Sequence, residues 1–277
     1  MEQQDIKQTV NQLMAEFKDA NSDVRVSLLI KIGVLTPQML IESRQFPREL
    51  VHQWKQSLGD AKDEIRNAAV YALYLCTPPE AKEVISLLRA VGNKTESSRE
   101  CREQILVILA RLDIPEGIEF ILGQLKHPEP NTRELAAKEL GGIDYQHLFG
   151  RVEIREALND RSEVVRLKAA ETIWSGEQDA ESILPPLLSM LNDDSSKQRL
   201  AAARLLCKMK NSAREAFPFL LALRNERHWT MRLQAVRAIQ LIAPMDKAAL
   251  DILNEMTDDK HVIVSESASK LLDELSD

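Results

Sequence analysis

The stretch LNDRSEVVRLKAAETI, residues 158–173, is followed 33 residues later by a similar stretch, LNDDSSKQRLAAARLL, residues 191–206. Each begins with Leu and has Asp two residues later, and an Arg follows six residues after that Asp. Apolar and small residues then stand 3, 4 and 7 positions after the Arg, which is the spacing of one stripe along an α-helix. Each stretch therefore predicts the end of one helix, a short polar turn, and a second helix that the Arg opens.

The same Arg recurs along the whole chain at intervals of 41, 36, 31, 33, 33 and 33 residues, and Ser265 takes its place 33 residues after the last one. The seven occurrences are Arg25, Arg66, Arg102, Arg133, Arg166, Arg199 and Arg232. Because neither helix of such a pair can bury its apolar stripe alone, the pairs are expected to stack. We predict one array over residues 1–277, with units at 1–36, 47–77, 79–113, 115–144, 146–177, 180–210, 212–243 and 246–277. First helices of these units are predicted at 79–91, 115–125, 181–191, 213–223 and 247–256.

An acidic residue stands six positions before the Arg in seven of the eight units, and His127 replaces it in the fourth. Repeated along the array, an acid that closes the first helix and an Arg that opens the second can form a ladder of charge-assisted hydrogen bonds. We interpret this ladder as structural. It comprises Asp19, Arg25, Asp60, Arg66, Asp160, Arg166, Asp193, Arg199 and Arg232.

The pattern L-x-D-x-x-x-x-V-R-x-x-A-A-x-x-L, which spans Leu158 to Ile173 in this chain, resembles the HEAT repeat. The resemblance covers essentially the whole chain and is strongest in the fourth to seventh units. It implies an all-α fold, a right-handed α-solenoid (an α–α superhelix) of about eight helix pairs, whose second helices line a concave face. The first three units and the last depart from the pattern, as terminal repeats of such arrays often do.

Composition and motifs argue against several classes of function. Only 9 of the 277 residues are Gly, and no phosphate-binding or nucleophile-elbow motif occurs. The formal charge of −7 disfavours nucleic acid as a partner. No apolar stretch is long enough for a membrane, and the three Cys fit reduced thiols. We therefore expect a cytoplasmic monomer that is not an enzyme and needs no cofactor or metal.

Three enzyme classes of HEAT-like fold were weighed against the residues. Di-iron hydroxylases need His-Glu dipeptides, which this sequence lacks. DNA-lesion glycosylases use a basic, Trp-bearing face; a packing role is preferred for the local cluster of Arg224, Arg227, His228, Trp229 and Arg232. A bilin lyase, or an accessory protein of an enzyme, is the main alternative, because Tyr71, Tyr74 and Trp174 could stack on a tetrapyrrole. Cys207 would be its candidate thiol, by exposure alone.

The main hypothesis is a scaffold or adaptor that binds a protein or peptide on the concave face. Positions 1, 5 and 8 after the Arg point away from the buried stripe of the second helix. In the first unit they hold Val26, Ile30 and Gly33. Later units place Leu at position 1 and Arg at position 5, which suits an amphipathic helix or an acidic peptide; packing between units is the alternative. The predicted partner-binding residues are Tyr71, Tyr74, Lys138, Leu167, Trp174, Leu200, Arg204, Leu233 and Arg237.

Overall fold

The computed structural model describes residues 3–17, 20–43, 48–95, 97–192, 195–244 and 246–276. Of the predicted ladder, Asp19 and Asp193 lie outside these residues. The described residues form an all-α solenoid of sixteen α-helices and short 3-10 turns, without a β-strand. They group into two compact units, one formed by residues 1–123 and 142–147 and the other by residues 124–141 and 148–277.

The first unit contains seven helices, of which α2, α4 and α6 are the second helices of successive pairs. Their bounds are α1 Gln3–Phe17, α2 Ser22–Ser43, α3 Arg48–Leu58, α4 Asp63–Cys76, α5 Ile85–Gly92, α6 Arg99–Arg111 and α7 Pro115–Gln124. Helix α4 packs between α2 and α6. Trp54 of α3 is fully buried in the core of this unit.

Helix α2 differs from the prediction in two ways: Gly33 does not lie on an open face, and the helix ends later than expected. A Cβ atom on Gly33 would lie 2.7 Å from the Cα atom of Ala72, so the backbones of α2 and α4 approach closely at this point. Gly33 therefore belongs to the contact between two second helices and not to an open face. The helix also continues through Pro37 to Ser43, past the predicted boundary at residue 36. Proline has no backbone N–H, so one helical hydrogen bond is missing at Pro37. Its fixed φ lies in the helical range, so the backbone can remain helical.

The second unit contains nine helices, in which α8, α10, α12, α14 and α16 are the second helices. Their bounds are α8 Pro130–Glu139, α9 Val152–Ala157, α10 Glu163–Glu177, α11 Ala180–Met190, α12 Ser196–Met209, α13 Phe217–Ala222, α14 Trp229–Ile242, α15 Lys247–Met256 and α16 Val262–Ser276. Each second helix packs against the next one along the chain.

The predicted stripe of small and aliphatic residues forms the core of this second unit. Ala169, Ala202 and Ala235, three residues after the repeated Arg, are completely buried. Ile173 and Leu206, seven residues after it, are at most 2% exposed. The small side chain lets neighbouring helices approach, and the larger one fills the space between layers. The repeat register is confirmed at these positions.

Two predicted first helices are partly 3-10 helical. Residues Lys210–Ala216 and Leu223–Asn225 flank the short helix α13, where one continuous helix was expected from 213 to 223. Ala213 has φ −105° and ψ 24°, which breaks the α-helical backbone there. In the first unit Pro79–Val84 is likewise a 3-10 turn before α5. Within the described ranges no helix is long and apolar enough to cross a bilayer.

Candidate functional site

Four of the repeated Arg residues, Arg25, Arg133, Arg199 and Arg232, pair with an acid of the next repeat. Arg232, near the start of α14, shows this arrangement most completely. Its Nη1 donates hydrogen bonds to the carbonyl oxygens of Glu226 and Arg227, at 3.0 and 2.9 Å, in the turn of its own repeat. Its Nε and Nη2 donate to the two carboxylate oxygens of Asp259, at 2.6 and 2.7 Å, in the following repeat. The bidentate pair gives both attraction and fixed geometry. One guanidinium therefore fastens two neighbouring repeats.

The same arrangement occurs at other repeats. Arg133 binds Asp160 through Nε at 2.7 Å and Nη2 at 3.0 Å. Arg199 binds Glu226 at 2.8 Å. In the first unit Arg25 lies 3.8 Å from Asp60. In each of these pairs the acid lies in the repeat that follows the Arg along the chain. Where the Arg also binds backbone carbonyl oxygens, those oxygens lie in its own repeat. We call these pairs the Arg–acid ladder.

The ladder lowers the pKa of two of its acids, Asp259 and Asp160. The hydrogen bond from Arg232 holds the pKa of Asp259 below its ordinary value, against the effect of burial. At Asp160 burial is the largest influence and raises the pKa, but hydrogen bonds from Arg133 and from the N–H of Ser162 outweigh it and the pKa is lowered. Both acids are therefore charged at neutral pH and hold their Arg partners.

The Leu residues predicted for the binding face lie where second helices meet. Leu167 is only 5% exposed, so it is part of the packing between helices and does not present an accessible surface. Leu200 and Leu233 are half-buried. The register places these positions on one side of the helix. It does not predict that lateral packing covers that side at Leu167.

The predicted Arg residues at position 5 are exposed and line a common groove. Arg204 of α12 and Arg237 of α14 lie at a cavity of about 450 Å³, together with Lys208 of α12. We call this cavity the α12–α14 groove. Lys208 was not among the predicted residues. The available signal was its place four residues after Arg204, which puts both cations on one side of the helix.

The remaining predicted residues are divided between the two units. In the first unit the rings of Tyr71 and Tyr74 stack with centroids 6.4 Å apart. Tyr71 is 38% exposed, whereas Tyr74 is half-buried and the guanidinium of Arg111 lies 5.0 Å from its ring centroid. In the second unit Lys138 is exposed and Trp174 is half-buried. Tyr71, Lys138 and Trp174 thus offer accessible side chains.

The structure offers no activated thiol. Cys207, predicted as a candidate by exposure, is only 3% exposed, and this prediction is wrong. Its side chain lies at the floor of the α12–α14 groove, where burial raises its pKa to about 12. Burial raises the pKa of Cys76 to about 12 as well. No group of three potential metal ligands occurs in the part of the chain that the structure describes.

Three residues of the basic and aromatic cluster around Trp229 make contacts within the protein. The indole of Trp229 stacks on the ring of His261, with centroids 4.3 Å apart and planes 8° apart. Arg232 is held by Asp259, and Arg224 donates to the carbonyl oxygen of Leu221 at 3.3 Å. The contacts of Trp229 and Arg232 join the last two repeats.

Comparisons with known proteins agree with this architecture. A model of HEAT repeats matches residues 152–240 and 184–273. Among solved structures, Escherichia coli YibA is 18% identical with a TM-score of 0.54, covering 96% of this chain and 92% of YibA. Importin beta is 15% identical with a TM-score of 0.48, covering 94% of this chain and 39% of importin beta. Human deoxyhypusine hydroxylase is 18% identical with a TM-score of 0.37, covering 98% of this chain and 97% of the hydroxylase. No similar sequence is found among curated proteins. The likeness to YibA concerns the fold.

Proposed function

We propose that this chain, whose residues 152–273 match HEAT repeats, is a scaffold or adaptor that binds a protein partner on the face of its second helices. It would act without catalysis, in the cytoplasm, where its three thiols stay reduced. A stack of packed helices is a preformed surface, so a partner that binds it loses little of the binding energy to ordering.

One observation supports this proposal more than any other. Arg199 and Arg204 lie on the same helix, α12, and have opposite environments. Arg199 is held by Glu226 in the ladder, whereas Arg204 is exposed at the α12–α14 groove. Arg237 has the same exposed environment one repeat later. Long cationic side chains that recur at one position of successive second helices suit contact with another molecule.

Affinity capture with cross-linking tests the proposal. The purified chain is used as bait, and cross-linked partners are mapped by mass spectrometry. We expect the cross-links to fall on second helices, and we expect Trp174→Ala and Arg204→Glu to reduce recovery of the main partner several-fold. Lys247→Glu is the matched control, since Lys247 is an exposed cation on the first helix α15 and its charge change equals that of Arg204→Glu. Recovery that is unchanged in both variants, or equally lost in the control, would contradict the proposal.

A further inference from the structure

The α12–α14 groove concentrates positive charge. Three cations line it, Arg204 and Lys208 from α12 and Arg237 from α14. The acid that also lines it, Glu171, accepts a hydrogen bond of 2.6 Å from Lys168 of its own helix, so its charge is already balanced. The groove is therefore cationic within a chain whose formal charge is −7.

None of the three cations is paired within the described residues. No hydrogen bond or ion pair with another described residue involves the side chain of Arg204, Lys208 or Arg237. The ladder arginines a few residues away are bound by acids of the next repeat, so acids are near at hand in this fold. The acid of the groove, Glu171, is paired with Lys168, so Arg204, Lys208 and Arg237 repel one another, and an anionic ligand would relieve that repulsion.

The floor of the groove adds an unused hydrogen-bond acceptor. Gln234 lines the groove and is 1% exposed. Its Nε2 donates to the carbonyl oxygen of Thr230 at 3.0 Å, whereas its Oε1 receives no hydrogen bond from the described residues. A buried acceptor without a hydrogen bond destabilises the protein until a donor reaches it. The oxygen is covered, so rotation of the side-chain amide is part of any contact that satisfies it. A backbone N–H is a suitable donor.

From these observations we propose that the α12–α14 groove binds an extended acidic peptide segment. Its carboxylates pair with Arg204, Lys208 and Arg237, and one of its backbone N–H groups donates to Gln234. Neighbouring packed helices lie about 8–10 Å apart, and an extended chain advances about 3.3 Å per residue, so about three residues span from one helix to the next. The inference rests on the proposed function and specifies the chemistry of the partner at this groove.

A peptide fits the groove better than a nucleic acid does. Single-stranded nucleic acids bind proteins through a basic groove combined with aromatic side chains on which bases stack. The apolar part of this groove is aliphatic, with Ala201, Leu205 and Leu241, and none of the described lining residues is aromatic. Acidic side chains and backbone amides match the groups that are present.

The test measures fluorescence anisotropy with a labelled peptide of alternating Glu and Ser. In an extended chain alternate side chains point to the same side, so all its carboxylates can face the groove. Two comparison peptides replace Glu by Gln or by Lys. We expect the Glu peptide to bind about tenfold or more tightly than the Gln peptide, with an affinity that falls as salt is added, and the Lys peptide not to bind.

Paired charge reversals locate the site. The double variant Arg204→Glu with Arg237→Glu is expected to lose about tenfold or more of the affinity for the Glu peptide. The control reverses Lys247 and Arg214, two exposed cations of first-helix segments in the same unit, and is expected to stay within about twofold of the original chain. Circular dichroism checks that both variants remain helical.

Each outcome decides the inference. Equal binding of the Glu and Gln peptides, equal loss in the two double variants, or tighter binding of a labelled oligodeoxythymidine than of the Glu peptide would overturn it. If the groove variant still captures the cross-linked natural partner, the groove inference is wrong and the scaffold function stands. If the Glu peptide binds at the groove but no protein is captured on the second helices, the scaffold proposal fails by itself.

Discussion

Replacing Arg232 by Met tests how strongly the Arg–acid ladder holds the repeats together. Met replaces the aliphatic part of the Arg side chain by an unbranched apolar chain and removes the guanidinium. The variant loses two hydrogen bonds to Asp259, of 2.6 and 2.7 Å, and two to carbonyl oxygens, of 3.0 and 2.9 Å. The side chains of Arg232 and Asp259 are only 6% and 10% exposed, so water does not readily replace what is lost.

The expected cost follows from this burial. Removing one partner of a buried ion pair destabilises proteins by about 3–5 kcal/mol, because a charge is left without compensation. Asp259 retains a hydrogen bond of 2.8 Å from the N–H of His261, which favours the lower end of that range. We therefore expect Arg232→Met to lower the free energy of unfolding by about 3 kcal/mol.

Two further pairs supply a graded comparison. The side chains of Arg199 and Glu226 are 23% and 26% exposed, so Arg199→Met is expected to cost about 1 kcal/mol. Arg99 and Glu103 are 79% and 41% exposed, and Arg99→Met is expected to change stability by less than about 0.5 kcal/mol. Because the first of these pairs is partly screened by water and the second largely so, the cost should fall in that order.

Urea unfolding, followed by far-UV circular dichroism and by tryptophan fluorescence, measures the three costs. A double-mutant cycle with Asp259→Asn isolates the energy of the pair itself. We expect coupling between Arg232 and Asp259 of more than about 1 kcal/mol. If Arg232→Met costs no more than Arg99→Met, or if the cycle shows no coupling, the ladder does not stabilise the stack and this explanation of the repeated Arg is wrong.

Two other predictions concern single sites. A Cβ atom on Gly117 would overlap the backbone of α6, so Gly117→Ala should destabilise the chain by about 1–3 kcal/mol. In the same helix a Cβ atom on Gly123 meets no atom within 4 Å, so Gly123→Ala should be neutral or stabilising by up to about 1 kcal/mol. Thermal melting compares the two variants. Hydrogen bonds, first that from Ser182, lower the pKa of Asp179 from 3.8 to about 2. Because the folded-state pKa is depressed, this stabilisation is present above pH 3.8 and lost as the pH falls toward 2, so Asp179→Asn should flatten the loss of stability over that interval in acid titrations.

The spacing of the repeats predicts the bounds of several helices, because helical periodicity depends on residues close together in the sequence. Helix α15, Lys247–Met256, has the bounds that the sequence predicts, and α7, Pro115–Gln124, ends one residue early. The buried Ala and Leu columns follow from the same 3.6-residue period. Where 3-10 turns replace a predicted helix, as at Lys210–Ala216, the apolar spacing is unchanged and carries no sign of the tighter winding.

The face of the second helices is harder to predict than their core. Periodicity places Leu167 and Arg204 on the side away from the buried stripe, but how far that side is covered depends on the rotation and distance of the next helix. In this structure Leu167 is covered and Arg204 is exposed. The close approach at Gly33 has the same origin. These properties depend on contacts between neighbouring repeats, for which the sequence of one repeat carries no direct signal.

The two classes of cation along the stack follow from their angular positions. Arg199 and Arg204 are five residues apart, which places them about 140° apart around α12. At the first position the turn of the next repeat brings Glu226 within 2.8 Å. At the second position the neighbouring helix α14 brings another cation, Arg237, to the same groove. The repeat pairs Arg with acid along one edge and sets Arg beside Arg on the adjoining face. The helical period that supports the ladder therefore also produces the cationic groove for which we propose an acidic peptide.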